Sequence, residues 1–193
     1  MDLSVKNANN HGLSAFKDIE RPWILVGYSL FAKEGPAAVQ VQVMARQVQK
    51  SKSSFYHLFA DLDIFTEVLL NYHLERSKVI AEKESLCQNL VPDLVNLLLE
   101  VKEDLLFNRQ LRVHRSKANF NHFLEKADAV VQESFYKVWA RDIGLAEKPH
   151  LAKDVFALAL ENFYLQLTEQ HLNYEWLAQY FQNLRGLVQQ FKR

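Results

Sequence analysis

Between positions 46 and 57 the chain collects side chains suited to binding a polyanion: Arg46, Lys50, Ser51, Lys52, Ser53, Ser54, Tyr56 and His57. No Asp or Glu lies between Gly35 and Ala60 to neutralise the three cations. Lys52 and Tyr56 carry N–H and O–H donors for phosphate oxygens, and Ser53, Ser54 and His57 can reach base edges or water. Arg46 and Lys50 would support them from the flank. The chemistry implied is recognition of double-stranded DNA through charge and hydrogen bonding, without a covalent step.

Such residues need a frame, and the surrounding pattern supplies one. Val41, Met44, Ala45 and Val48 recur at i, i+3, i+4 and i+7, one apolar face of a helix. Ser51 offers an oxygen where a second helix can start, and Phe55 and Phe59 follow one turn apart. Two short helices hinged over a few polar residues make a helix-turn-helix. A preceding helix starts at Pro22, buries Trp23, Gly27, Leu30 and Phe31, and ends at Gly35–Pro36. Residues 1–20, polar and Asn-rich, read as a flexible arm; Lys6, Lys17 and the adjoining Arg21 could touch a phosphate backbone, or the segment is a frayed tail.

Downstream, a helix from about Ile64 to Glu84 carries the stripe Phe65, Val68, Leu69 and Tyr72, and forms a rod able to transmit motion. Leu90 to Phe107 reads as another helix, Asn108 to Ser116 as an Arg-rich bend, and Phe120 to Trp139 as a further helix. Leu151 to Leu167 is apolar on nearly every side and so needs neighbours on nearly every side. Asn173 can cap a last helix with the seam Leu177, Tyr180, Phe181, Leu184, Leu187, Val188 and Phe191. Two such helices, about 151–170 and 174–191, point to a homodimer through a four-helix bundle.

Composition narrows the class. The 193 residues include 23 Lys and Arg against 23 Asp and Glu, so no global field drives DNA or membrane binding and a local patch must do so. Few Gly and Pro with abundant Leu, Ala, Gln, Glu and Lys favour an all-α fold. The lone Cys87 excludes an intramolecular disulfide and fits a reducing cytoplasm. No apolar run reaches the length of a membrane span. The aromatics Phe107, Phe120, Phe123, Phe135, Tyr136, Trp139, Phe156, Phe163 and Tyr164 could line a cavity for a hydrophobic effector. Arg109, Arg112, His114, Arg115 and His122 could meet an anion, although a solvated bend explains them as well. His114 and His122 lack a third ligand at metal spacing. There is no hydrolase triad order, HExxH, phosphate loop or CxxC, so neither catalysis nor a cofactor is expected.

With these residues in place, the chain resembles the TetR family of transcriptional regulators. Residues 23–35, WILVGYSLFAKEG, are similar to the family's first helix with its Leu-Phe pair and closing Gly. Met44-Ala45 is similar to its second helix, and Ser51-Lys52-Ser53-Ser54-Phe55-Tyr56 with Phe59 to its recognition helix. The register runs without a gap from Trp23 to Asp63. The resemblance implies a DNA-binding unit over 21–63 and a helical effector-binding and dimerisation domain over 64–193. Four positions depart from it: Gln40 in place of a capping Thr, Gln49 in place of a turn Gly, Leu58 in place of His, and Leu62 in place of a phosphate-contacting Lys.

The function expected is a ligand-responsive repressor that binds a near-palindromic operator as a homodimer. The alternative is a TetR-like helical dimer that has lost specific DNA binding and holds a small molecule or a protein.

Overall fold

The computed structural model describes residues 16–190; Lys6, the rest of 1–15 and Phe191 lie outside the described residues. Among the described residues the fold is all-α, with nine α-helices and no strand. They are α1 (Arg21–Glu34), α2 (Val41–Val48), α3 (Lys52–Phe59), α4 (Leu62–Ser85), α5 (Val95–Glu100), α6 (Lys102–Val113), α7 (Ala118–Asp142), α8 (Pro149–Gln166) and α9 (Tyr174–Gln190). Packing sorts them into two units, Met1–Val79 with Glu103–Ala127, and Ile80–Lys102 with Asp128–Arg193. The sequence reading divides the chain at residue 63; the packing groups most of α4, and most of α6, with the helix-turn-helix.

In the first unit, α1 starts with Pro22 in its first turn and stops where Gly35 takes φ +89 and donates its N–H to the Phe31 carbonyl at 2.9 Å. Its buried face includes Trp23, Ile24, Gly27, Tyr28 and Phe31. The rings of Trp23, Phe55, Phe59 and Phe65 form a continuous aromatic cluster, with Phe65 4.8 Å from Phe59 and 5.2 Å from Phe55. That cluster seats α3 on α1 and α4. Gly27 is required by closeness: a Cβ there would lie 2.5 Å from the Phe65 ring and 3.3 Å from the Met44 sulfur.

A second core in this unit is polar. Asp104 accepts two hydrogen bonds from Arg76, Nε to Oδ1 at 3.0 Å and Nη2 to Oδ2 at 2.8 Å, and one from the Tyr28 hydroxyl at 2.9 Å. All three side chains are buried, and so is His73, whose Nδ1 lies 2.7 Å from the Tyr28 oxygen. Tyr28 spends its single proton on Asp104, so His73 carries its own on Nδ1 and donates. His73 Nε2 then has a buried lone pair and finds no partner among the described residues. Phe107 covers the group, stacked 4.3 Å from Tyr28 and 4.6 Å from His73. Burial lowers the His73 pKa to about 4, with Asp104 opposing and Arg76 reinforcing that shift. Burial, then Asp104, pushes the Tyr28 phenol well up.

Two expectations from the sequence are corrected. Leu90–Phe107 is not one helix: Pro92 forces Val91 out of helical geometry (φ −123, ψ 121), and Val101 (φ −104, ψ 29) breaks the chain again before α6. Of the bend expected over Asn108 to Ser116, only His114–Ser116 turn; α6 continues to Val113 and buries Asn108 and Leu111 on one face while Arg109 and Arg112 follow the helix. In the second unit, Asn173 accepts the Trp176 N–H at 2.9 Å and so starts α9 as its position suggests. No helix among the described residues is long and apolar enough to cross a membrane.

Gly27→Ala decides between two effects of similar size. Helix propensity favours Ala by about 1 kcal/mol, but overpacking against a buried ring costs about 1–3 kcal/mol. With Phe65 held between Phe55 and Phe59, we expect a net loss in urea unfolding; a gain would mean that the ring yields. His73 sets an acid limit. It is neutral when folded, with a pKa near 4, and titrates near 6.5 when unfolded, so its contribution is complete above about pH 6.5 and falls as pH drops towards 4, by up to about 3 kcal/mol. The stability difference between the native chain and His73→Asn should therefore shift against the native chain between pH 7 and pH 4.5, measured by urea titration at each pH; a constant difference contradicts the assignment.

Candidate nucleic-acid interface

The face is built from α2, the turn at Gln49–Ser51, and α3. Helix α2 buries Val41, Met44 and Ala45, which leaves Gln42, Arg46 and Gln47 in solvent. Gln40 stands at its start without a side-chain cap on the helix; its amide donates instead to the Ala37 carbonyl at 3.3 Å. Gln49 ends α2 in the left-handed region (φ 55, ψ 43), and the Lys50 N–H reaches back to the Ala45 carbonyl at 3.0 Å. This is the αL helix stop usually made by glycine, here built with a residue that pays for its Cβ.

Ser51 caps α3 by accepting the Ser54 N–H at 3.2 Å, and the two serine hydroxyls lie 2.9 Å apart. Ser51 and Ser54 are thus spent largely on each other. Lys52, Ser53, Tyr56 and His57 project outward, with Tyr56 half exposed and its ring edge on Phe55 at 5.5 Å. Among the described residues no carboxylate pairs with Arg46, Lys50 or Lys52. Those cations, with Gln42 and Ser51, border an open groove of about 470 Å³. Of the eight residues expected to touch DNA, Arg46, Lys50 and Lys52 meet at the groove, Ser53, Tyr56 and His57 are exposed on α3, and Ser51 and Ser54 fix the helix start.

The remaining departures, Leu58 and Leu62, flank the start of α4. Asp61 accepts the Ile64 N–H at 2.8 Å and so caps α4, the role its position before a helix suits best. Leu62 is partly exposed beside it, and Leu58 is half-buried behind α3. Ala60, at φ 58, makes the second left-handed residue flanking α3.

The residues expected to line an effector cavity divide between the units. Phe107 and Phe120 are buried in the first, Phe107 between Tyr28 and Phe31 and Phe120 edge-on to Phe31 at 5.6 Å. Phe123 is half-buried, with the Lys126 ammonium 5.7 Å above its ring. Phe135, Trp139, Phe156 and Phe163 do come together in the second unit, along a seam with Tyr180 and Phe181. The free volume there is about 10 Å³, room for about one water at most. Edge-to-face contacts such as Phe135–Phe156 at 5.3 Å and Trp139–Phe156 at 5.1 Å fill the rest. Among the described residues, no three His, Cys, Asp or Glu side chains converge as metal ligands.

No family model, curated protein or solved structure matches the chain.

Two polar sites escaped the sequence reading. One is the Tyr28–His73–Arg76–Asp104 group, signalled only by an Arg standing one turn beyond Tyr72 in an otherwise inward stripe. The other is Glu84, buried in the second unit and accepting a hydrogen bond from Ser134 Oγ at 2.9 Å. Burial pushes its pKa up to about 8, against the opposing effect of Ser134, so it is protonated at neutral pH. The turn carries its own test. Gln49→Gly should stabilise the chain by about 1 kcal/mol, read as a higher urea midpoint with unchanged slope; a loss of stability would show that the Gln side chain is itself a structural contact.

Proposed function

We propose that the chain is a ligand-responsive DNA-binding transcriptional regulator of the TetR type, a repressor acting as a homodimer. One observation carries the reading: exposed Lys52, Ser53, Tyr56 and His57 stand on a short helix whose opposite face is anchored by buried Phe55 and Phe59, and Arg46 on α2 and Lys50 in the turn add two more cations with no carboxylate partner among the described residues. Backbone phosphates would take the cations and Tyr56, and the major-groove edge would meet Ser53 and His57. In a dimer, two such helices would enter successive major grooves about one helical turn apart.

Support for a dimer comes from α8. Leu151, Leu158 and Leu165 repeat every seven residues and are 45%, 74% and 78% exposed, and Leu187 of α9 is half exposed. Leucines at that spacing and exposure are what a helix paired across a symmetry axis presents. An effector would act by binding one arrangement of the dimer better than the other.

A second reading is favoured by the capless start at Gln40, the strained turn at Gln49 and the acidic residues Asp61 and Asp63 around Leu62. On this reading the fold persists as a helical dimer that binds a small molecule or a protein but not DNA. Selection of duplexes from a random pool, followed by fluorescence anisotropy against salt, separates the two. The regulator should bind selected duplexes as two chains per site, with log affinity falling linearly against log salt, and Lys52→Gln should reduce that slope by about 1. Binding of selected and random duplexes alike, with a flat salt dependence, sinks the regulator reading in favour of the second.

A further inference from the structure

The second unit contains a cleft of about 450 Å³ that belongs neither to the aromatic seam nor to the helix-turn-helix. One wall is α7, where Val130, Ser134, Lys137, Val138 and Arg141 follow the helical repeat, and the other is the end of α4 from Ala81 on to Cys87 and Gln88. The size is that of a small-molecule site. The walls are mixed, with apolar patches at Ala81, Val130 and Val138 among polar and charged side chains that include Arg141.

Each acid at the cleft is already engaged. Glu133, on its lining, pairs with Lys137 at 2.8 Å across an exposed turn of α7, and Asp93, at its edge, accepts the backbone N–H groups of Gln88 and Asn89 at 2.9 and 3.0 Å. Arg141 has no carboxylate among the described residues and donates to the Gln88 carbonyl. That uses one of five guanidinium N–H groups and leaves donors for a bidentate partner. Glu84, which accepts from Ser134 Oγ, is uncharged at neutral pH and does not compete for Arg141. One guanidinium with free donors, beside apolar patches at Ala81, Val130 and Val138, suits a single negative charge on a small apolar body; a di- or triphosphate would need more cations.

We infer that this cleft binds a small organic monoanion, with a carboxylate on Arg141 and an apolar body against Val130, Val138 and Ala81. The inference rests on the ligand-binding half of the proposed function and not on its DNA-binding half. It moves the ligand from the closed aromatic seam to an open site on α7.

Isothermal titration of the full chain at low salt, without DNA, tests it with 4-phenylbutyrate and its neutral counterpart 4-phenylbutan-1-ol. The acid should bind at least tenfold more tightly than the alcohol. Arg141→Gln should abolish that preference, and Glu133→Gln, which removes the acid from the rim, should tighten binding of the acid. Lys137→Glu, at an exposed position that does not threaten folding, should weaken the acid severalfold and leave the alcohol unchanged. Equal binding of acid and alcohol, binding of neither, or an acid affinity indifferent to both the Arg141 and Lys137 changes would overturn the assignment. Failure here leaves DNA binding untouched, and failure of DNA binding leaves this titration unaffected.

Discussion

A carboxylate withdrawn from water must be matched, and Asp104 is matched by three donors drawn from two other helices. Arg76 on α4 supplies the fork and Tyr28 on α1 the third hydrogen bond, while Asp104 itself sits on α6. Sliding any one of these helices by a residue would strand a buried charge, a defect worth about 3–5 kcal/mol. The arrangement therefore fixes the mutual register of α1, α4 and α6 more sharply than apolar packing would. Helix α3 inherits that register through Phe65, which lies on α4 and holds Phe55 and Phe59. The pose of the exposed cations thus traces back to an ion pair in the core of the same unit.

Much of the frame was legible in the chain itself. The periodicity of Val41 to Val48, the serine before Lys52 and the paired phenylalanines behind it locate two helices and their turn, because short amphipathic helices with explicit caps carry their boundaries in local chemistry. Asn173 is legible for the same reason. The path from Leu90 to Val113 was not: Pro92 and Val101 break an apolar pattern that looks continuous, and the buried Asn108 and Leu111 extend a helix through a polar stretch. Hydrophobic spacing records which residues face inward, not where the backbone departs from the helix between them.

The chemistry was legible unevenly. Lys52, Ser53, Tyr56 and His57 announce themselves because an acid-free, donor-rich stretch is a local property. The aromatic residues of the C-terminal half were ambiguous in sequence, since rings that fill a core and rings that line a cavity occupy the same helical positions. Here Phe107 and Phe120 pack in one unit, and Phe135, Trp139, Phe156 and Phe163 close on themselves in the other. The cleft beside Arg141 depends on residues some fifty positions apart, Glu84 and Ser134, and spacing along a chain does not record such meetings.

Helix α3 is bracketed by Gln49 and Ala60, both with positive φ, and is held from behind by two phenylalanines. Its direction is thus written in the backbone and in its inner face, and its outer face takes almost no part in holding it there. Lys52, Ser53, Tyr56 and His57 can change identity at little cost to folding. A protein so built can exchange the side chains of that face one at a time without passing through an unfolded intermediate form.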